Sequence, residues 1–247
     1  MESSCRRALE IGLPSIAFTD HADFNPFPSE EWHRLDIGGY HRAVEVCRAL
    51  FPDLRILSGV ELGEAHRFPA ETAAVLAAGG LDRILGSVHC IPWGGALVDA
   101  SVKGFFSPED AAQKFRGYLT EVLALVDSEQ PFSTLAHLDY PKRYWPHAEM
   151  PYRESEFEEE FRGILKAAAR RGLILEVNTT RGAEHHRGLC PGPVVLRWWR
   201  EEGGDAVAFG SDAHDPGRIA GGFREAAAVV EAAGFRPNSD PTGSWLR

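Results

Sequence analysis

Six strand-length apolar runs constrain this chain most, because in five of them one face ends, toward its C-terminal side, in a histidine or a carboxylate. They are SIAFTDH at 15–21, RILSGVELG at 55–63, RILGSVH at 83–89, STLAHLD at 133–139, LILEVNT at 173–179 and AVAFGSDAH at 206–214. Each is mainly apolar or β-branched rather than strictly alternating, as in parallel strands buried on both faces. Helix-forming segments lie between them, near 39–50, 69–78, 155–171, 193–202 and 222–233, several followed closely by glycine. Ser107, Pro108 and Asp110 predict the start of another helix, running toward Glu129.

Alternating strands and helices build either an open doubly wound sheet or a closed barrel. The nucleotide-binding open sheet wants a glycine-rich turn after its first strand, and neither GxGxxG nor a P-loop occurs here. The polar residues at the strand ends favour a barrel. No repeat or low-complexity linker divides the 247 residues, so one domain over 1–247 is expected, with a loosely attached tail from about 235. One feature departs from an ordinary barrel: the helix-like segment 2–12 (ESSCRRALEIG) precedes the first strand.

Residues two apart along a strand share a face. Ser15, Ala17, Thr19 and His21 fall together, as do Leu57, Gly59 and Glu61, then Leu85, Ser87 and His89. Leu135 pairs in this way with His137, and Ala206, Ala208 and Gly210 lead to Asp212 and His214. Faces that are small or apolar below and bear His, Glu or Asp at the C-terminal end suit a barrel packed inside and reactive at its mouth. His21, Glu61, His89, His137, Asp212 and His214 are therefore candidate ligands, and four imidazoles with two carboxylates suit Zn²⁺, Mn²⁺ or Fe²⁺. Any one of these histidines, taken alone, has a plainer reading as a hydrogen-bonded core or surface residue. The case rests on their recurrence.

Other polar positions are less determined. Glu176 lies mid-strand, where a carboxylate needs a partner; it orients a ligand imidazole or a cation, or accepts from a backbone amide or hydroxyl. Asp20 has the opposite parity to His21, and its options are supporting carboxylate, proton donor or loop cap. Lys142, Arg143 and Arg181 follow strand ends and are candidate substrate-phosphate contacts, Arg181 foremost because of its short NTTRG turn. His33, His41, His66 and His147 read as ordinary surface residues, and His185 and His186 as solvated.

The net charge of −10 provides no basic footprint for nucleic acid, while a small anion held by a few local cations remains compatible with it. Cys5, Cys47, Cys90 and Cys190 are scattered and form no CxxC, which excludes a thiolate zinc pattern and gives no reason for disulfides. No apolar run is long enough to span a bilayer, and the basic N-terminal residues precede no signal-like stretch. A cytoplasmic protein without nucleic-acid or membrane partners is expected; the oligomeric state is not legible.

In order, FTDH (18–21), GVELG (59–63), GSVH (86–89), AHLD (136–139), EVNT (176–179) and GSDAH (210–214) resemble the motifs of the PHP (polymerase and histidinol phosphatase) superfamily, closest to its histidinol-phosphatase branch. The likeness covers nearly the whole chain. It implies a distorted TIM-like (β/α)7 barrel holding two or three divalent metal ions, with His21, Glu61, His89, His137, Asp212 and His214 as ligands. The implied activity is hydrolysis of a small phosphate monoester, with histidinol phosphate as substrate. The family's first strand, with its HxH motif and a further ligand, has no counterpart here, so the expectation is a barrel lacking its first strand and a chain beginning at an internal methionine of a longer product.

Two other readings compete. A phosphodiesterase or nuclease of the same superfamily is disfavoured by the acidic charge. A truncated, non-catalytic binding protein predicts incomplete metal uptake and no turnover.

Overall fold

The computed structural model describes residues 1–25, 35–181, 188–240 and 242–247. Helix α1 (Glu2–Glu10) leads into strand β1 (Ser15–Ala22), followed by α2 (Ile37–Leu50), β2 (Arg55–Gly63), α3 (Pro69–Leu76) and β3 (Arg83–Ser87). A small hairpin, β4 (Cys90–Trp93) and β5 (Ala96–Asp99), precedes α4 (Ala111–Asp127) and β6 (Thr134–Leu135). Next come α5 (Glu158–Arg170), β7 (Ile174–Asn178), α6 (Pro193–Glu201), β8 (Ala206–Gly210), α7 (Phe223–Ala232) and β9 (Trp245–Leu246).

The main sheet runs β1-β2-β3-β6-β7-β8-β9, parallel until the last strand, which lies antiparallel on β8. It is curled. Thr19 and His21 of β1, Leu57 and Glu61 of β2, Leu85 of β3, Thr134 of β6, Glu176 and Asn178 of β7 and Ala208 of β8 all line one cavity of about 1040 Å³. Among the described residues β1 pairs only with β2, so the barrel is open along that edge. The burial pattern agrees: Ile56–Gly63 of β2 is buried throughout, whereas Ala17 and Asp20 of β1 are exposed. The sheet therefore has the expected distorted, TIM-like form, curled but not closed among the described residues.

The outer layer follows from the helix patterns. Helices α4 and α5 bury Phe115, Leu119, Val122, Phe161, Ile164 and Leu165 against one another and the sheet. Asp36 caps α2 by accepting from the Gly39 amide at 2.9 Å. Ser107 and Asp110 do bond each other, Oγ to Oδ1 at 3.1 Å, but they close a separate turn and the helix proper begins at Ala111.

Two expectations need correcting. The tail is not loosely attached: Phe235 is fully buried, Arg236 bonds Leu246, and β9 extends the sheet. Arg55 reaches Asp240 and Arg83 donates to the Thr242 carbonyl, which fastens the segment beneath the sheet. His66 is not an ordinary surface residue either. Its Nε2 lies 3.0 Å from the Glu121 carboxylate, which also accepts from Arg67 at 2.5 and 2.7 Å.

This cluster ties the β2–α3 loop to α4. Burial alone would raise the Glu121 carboxyl, but the bonds from His66 and Arg67 and the guanidinium charge outweigh it and hold it down at about 2. A depressed folded value contributes stability above the unfolded value near 4.5, and that contribution is lost as pH falls toward 2. Glu121→Gln is expected to destabilise by about 1–2 kcal/mol at neutral pH, the half-exposed Arg67 end being screened. Denaturant unfolding of both proteins should show the gap closing between pH 4.5 and 2. A gap unchanged at the acid end would contradict this assignment.

Candidate metal centre

Parallel pairing carries sequence neighbours into spatial ones. The β1–β2 register sets His21 beside Glu61, and β3 follows on the other side of β2, with His89 just beyond its end. The Glu61 carboxylate is the meeting point. Its Oε1 lies 2.8 Å from His137 Nε2 and 3.1 Å from His89 Nε2, and its Oε2 lies 3.8 Å from His21 Nε2. The rings of His21 and His89 are 5.3 Å apart, and those of His89 and His137 are 5.2 Å apart. Glu61, His89 and His137 are buried, and His21 is about a third exposed at the mouth.

Asp212 and His214 complete the rim. His21, Asp212 and His214 each offer a donor atom within 4.8 Å of the others, and so do His21, Glu61 and His89. His21 belongs to both groups. His137 and Asp212 hold φ of +21° and +47°, backbone conformations that L side chains rarely adopt. Strain of this kind persists where the surroundings over-determine a side chain, as at ligand positions.

The electrostatics favour positive charge here. Glu61 raises His21 to about 9 despite burial. Burial would push the Glu61 carboxyl up, but His21, His137 and His89 together hold it well below its ordinary value. For His89, Asp23 and Glu61 outweigh burial and lift it well above. A buried carboxylate ringed by imidazole nitrogens is satisfied by protons or by a cation that displaces them. The donors are nitrogen and oxygen without thiolate, so the residues present fit a borderline divalent ion.

Supporting residues surround these groups. Glu176 accepts from the His137 backbone amide at 2.9 Å, and burial raises its carboxyl. A Cβ at Gly210 would lie 1.9 Å from Glu176 Oε1, so only glycine there leaves room for the carboxylate. Asn178 Nδ2 donates to Asp212 Oδ2 at 3.3 Å, and Arg143 reaches both Asn178, at 2.6 Å, and Asp212, at 3.3 Å. Glu64 accepts from the backbone amides of His89 and Cys90 at 2.5 and 2.9 Å. The sequence reading missed Asn178 and Glu64. Asn178 shares the parity of Glu176, a usable signal, whereas Glu64 lies past its strand at φ +47°, where alternation no longer applies.

The remaining candidates divide. Lys142 must be corrected: it is buried, forms a 2.7 Å ion pair with Asp139 and donates to the Leu189 carbonyl at 2.6 Å, away from the cavity lining. Asp20 shares its face of β1 with Ile16 and Phe18, which pack toward α2, so it lies opposite the imidazoles. Arg181 is exposed after β7, where Thr180 bonds the Ser211 carbonyl at 2.9 Å. His33, His185 and His186 lie outside the described residues.

A curled parallel sheet with converging imidazoles and carboxylates at its C-terminal rim defines a TIM-like α/β protein with a candidate metal centre. The chain belongs to the PHP domain family, whose model matches residues 1–180. A histidinol-phosphatase from Lactococcus lactis is 27% identical over 92% of this chain and 83% of its own length. The crystal structure of histidinol phosphate phosphatase from Lactococcus lactis, complexed with zinc, L-histidinol and phosphate, superposes with a TM-score of 0.78 at 25% identity, covering 94% of this chain and 86% of that one. A solved structure from Listeria monocytogenes shares the fold, with a TM-score of 0.72 at 18% identity over 91% of this chain and 92% of its own.

Proposed function

We propose that this chain is a metal-dependent phosphatase that hydrolyses a small phosphate monoester, with histidinol phosphate as its substrate. The observation that carries this reading is the convergence of three imidazoles from three strands on the two oxygens of Glu61. His21, Glu61, His89, His137, Asp212 and His214 would hold divalent zinc, manganese or iron, two or three ions in all. Such ions, when bound, lower the pKa of coordinated water and draw charge from phosphate oxygens.

The protein's own groups do the rest. Glu176 fixes the His137 backbone, and Asn178 holds Asp212. Arg143 sets a buried guanidinium beside Asp212, adding positive charge where a phosphate would lie. Arg181 is placed by sequence above β7, where it would meet substrate from solvent. The cavity, about 1040 Å³, leaves room for a ligand of modest size.

The test is phosphate release from histidinol phosphate and p-nitrophenyl phosphate by protein stripped of metal and reloaded with Zn²⁺ or Mn²⁺. Monoester hydrolysis should require the metal and disappear with chelator. Turnover of bis(p-nitrophenyl) phosphate in preference to the monoester would turn the assignment to a phosphodiesterase. Absence of metal uptake would remove it.

A further inference from the structure

Asp23 lies one residue beyond the end of β1, largely buried, and reaches across the sheet. Its Oδ2 is 3.1 Å from His21 Nδ1, and its Oδ1 is 3.0 Å from His89 Nδ1. One carboxylate thus serves imidazoles from two strands that are not neighbours, since β2 runs between β1 and β3. It can span that gap because of Gly63, the last residue of β2. A Cβ there would lie 2.0 Å from Asp23 Oδ1 and 3.1 Å from its Cγ, so any side chain would evict the carboxylate.

An ionised carboxylate only accepts hydrogen bonds. Both Nδ1 atoms facing it must therefore carry hydrogen, which leaves Nε2 as the metal-facing nitrogen of each neutral ring. Those two Nε2 atoms are the ones near Glu61, at 3.8 Å for His21 and 3.1 Å for His89. A carboxylate behind a ligand imidazole fixes its tautomer and orientation and raises its basicity. Here a single group does so for two rings at once.

We infer that Asp23 is a positioning residue that selects the Nδ1–H tautomer of both His21 and His89 and aims their Nε2 atoms at one cation, with Gly63 as the gap that admits it. This rests on the metal-dependent reading above, and the experiment separates the two. Zinc affinity is measured by competition with a chromophoric chelator for the wild type, Asp23→Asn, Gly63→Ala and the double variant. In parallel, long-range ¹H–¹⁵N NMR of the metal-free proteins is followed upward in pH until both rings are neutral, because an imidazolium carries Nδ1–H whatever its tautomer, and the Nδ1 and Nε2 shifts of each neutral ring then locate its proton.

Asparagine keeps the shape but offers one acceptor and one donor, so one ring must give up its Nδ1–H contact. Asp23→Asn should lose about 10–100-fold in zinc affinity and one of two hydrogen-bonded Nδ1–H resonances assigned to His21 and His89. Gly63→Ala should weaken zinc similarly, and the double variant should be no worse than the weaker single. Zinc affinity within twofold of wild type in folded Asp23→Asn overturns the proposal, as does wild-type protein lacking the two Nδ1–H resonances. Should the variants fail to fold, the wild-type spectrum still decides. Wild-type protein that shows both resonances yet takes up no zinc sinks the phosphatase reading and leaves the tautomer assignment standing.

Discussion

Glu61→Ala is expected to abolish tight metal uptake and to lower kcat/KM by at least about 10²-fold, the scale of losing one preorganised electrostatic group. Three Nε2 atoms point at this carboxylate, and among the described residues no other carboxylate oxygen lies within 4 Å of the Nε2 atoms of His89 and His137. Removing it leaves imidazoles about 5 Å apart, with no carboxylate facing the Nε2 atoms of His89 and His137 among the described residues. A bound cation would then face neutral donors and mutual repulsion from whichever rings are protonated. Glu61→Gln separates charge from packing, because it fills the same volume without the negative charge. It should bind metal nearly as poorly as the alanine variant while keeping wild-type thermal stability more closely. Bound zinc per chain, measured by elemental analysis beside initial rates, checks both. Wild-type zinc content and rate in Glu61→Ala would show that the cluster is not the reactive centre.

The centre was legible wherever strand geometry alone places a side chain. His21, Glu61, His89 and His137 end strands or stand just beyond them, and the parallel register transmits the alternation from one strand to the next. Legibility stops where the chain bends. Asp23 continues the parity of His21 by two residues, so the signal was present, but it lies past the last strand residue. Lys142 was misplaced for a related reason. Residues Tyr140–Tyr144 form a 3₁₀ turn, whose three-residue spacing returns Lys142 to Asp139 rather than to the cavity mouth. Asp20 illustrates the converse, since its parity puts it with Ile16 and Phe18, the β1 residues that pack toward α2. The attachment of the tail escaped detection because β9 is two residues long and its anchors, Asp240 and Thr242, bond to Arg55 and Arg83, far away in sequence. No local pattern encodes a partner some 160–185 residues distant.

Lys142→Ala should produce the largest stability loss of any single cation change at this end of the barrel, about 3–5 kcal/mol, the range for orphaning one member of a buried ion pair. Burial alone would lower the Lys142 amine, yet the Asp139 carboxylate outweighs it and raises it, so the ammonium persists inside the protein. Asp139 is completely buried and Lys142 nearly so, which leaves little water to rescue whichever partner remains. The ammonium also holds the Leu189 carbonyl, linking the turn after β6 to the segment leading into α6. For a chain of this size the loss corresponds to a fall of roughly 6–20 °C in Tm. Under a substrate-binding role, the variant would instead keep its Tm and raise KM. The charge-free double variant Lys142→Met with Asp139→Leu resolves the matter, because replacing both partners by apolar groups removes the orphan. It should recover most of the lost stability, and its KM for a phosphate monoester should stay near wild type. A double variant as unstable as Lys142→Ala would mean that the Leu189 contact, rather than the ion pair, carries the effect. A large rise in KM at wild-type Tm would return Lys142 to the substrate site.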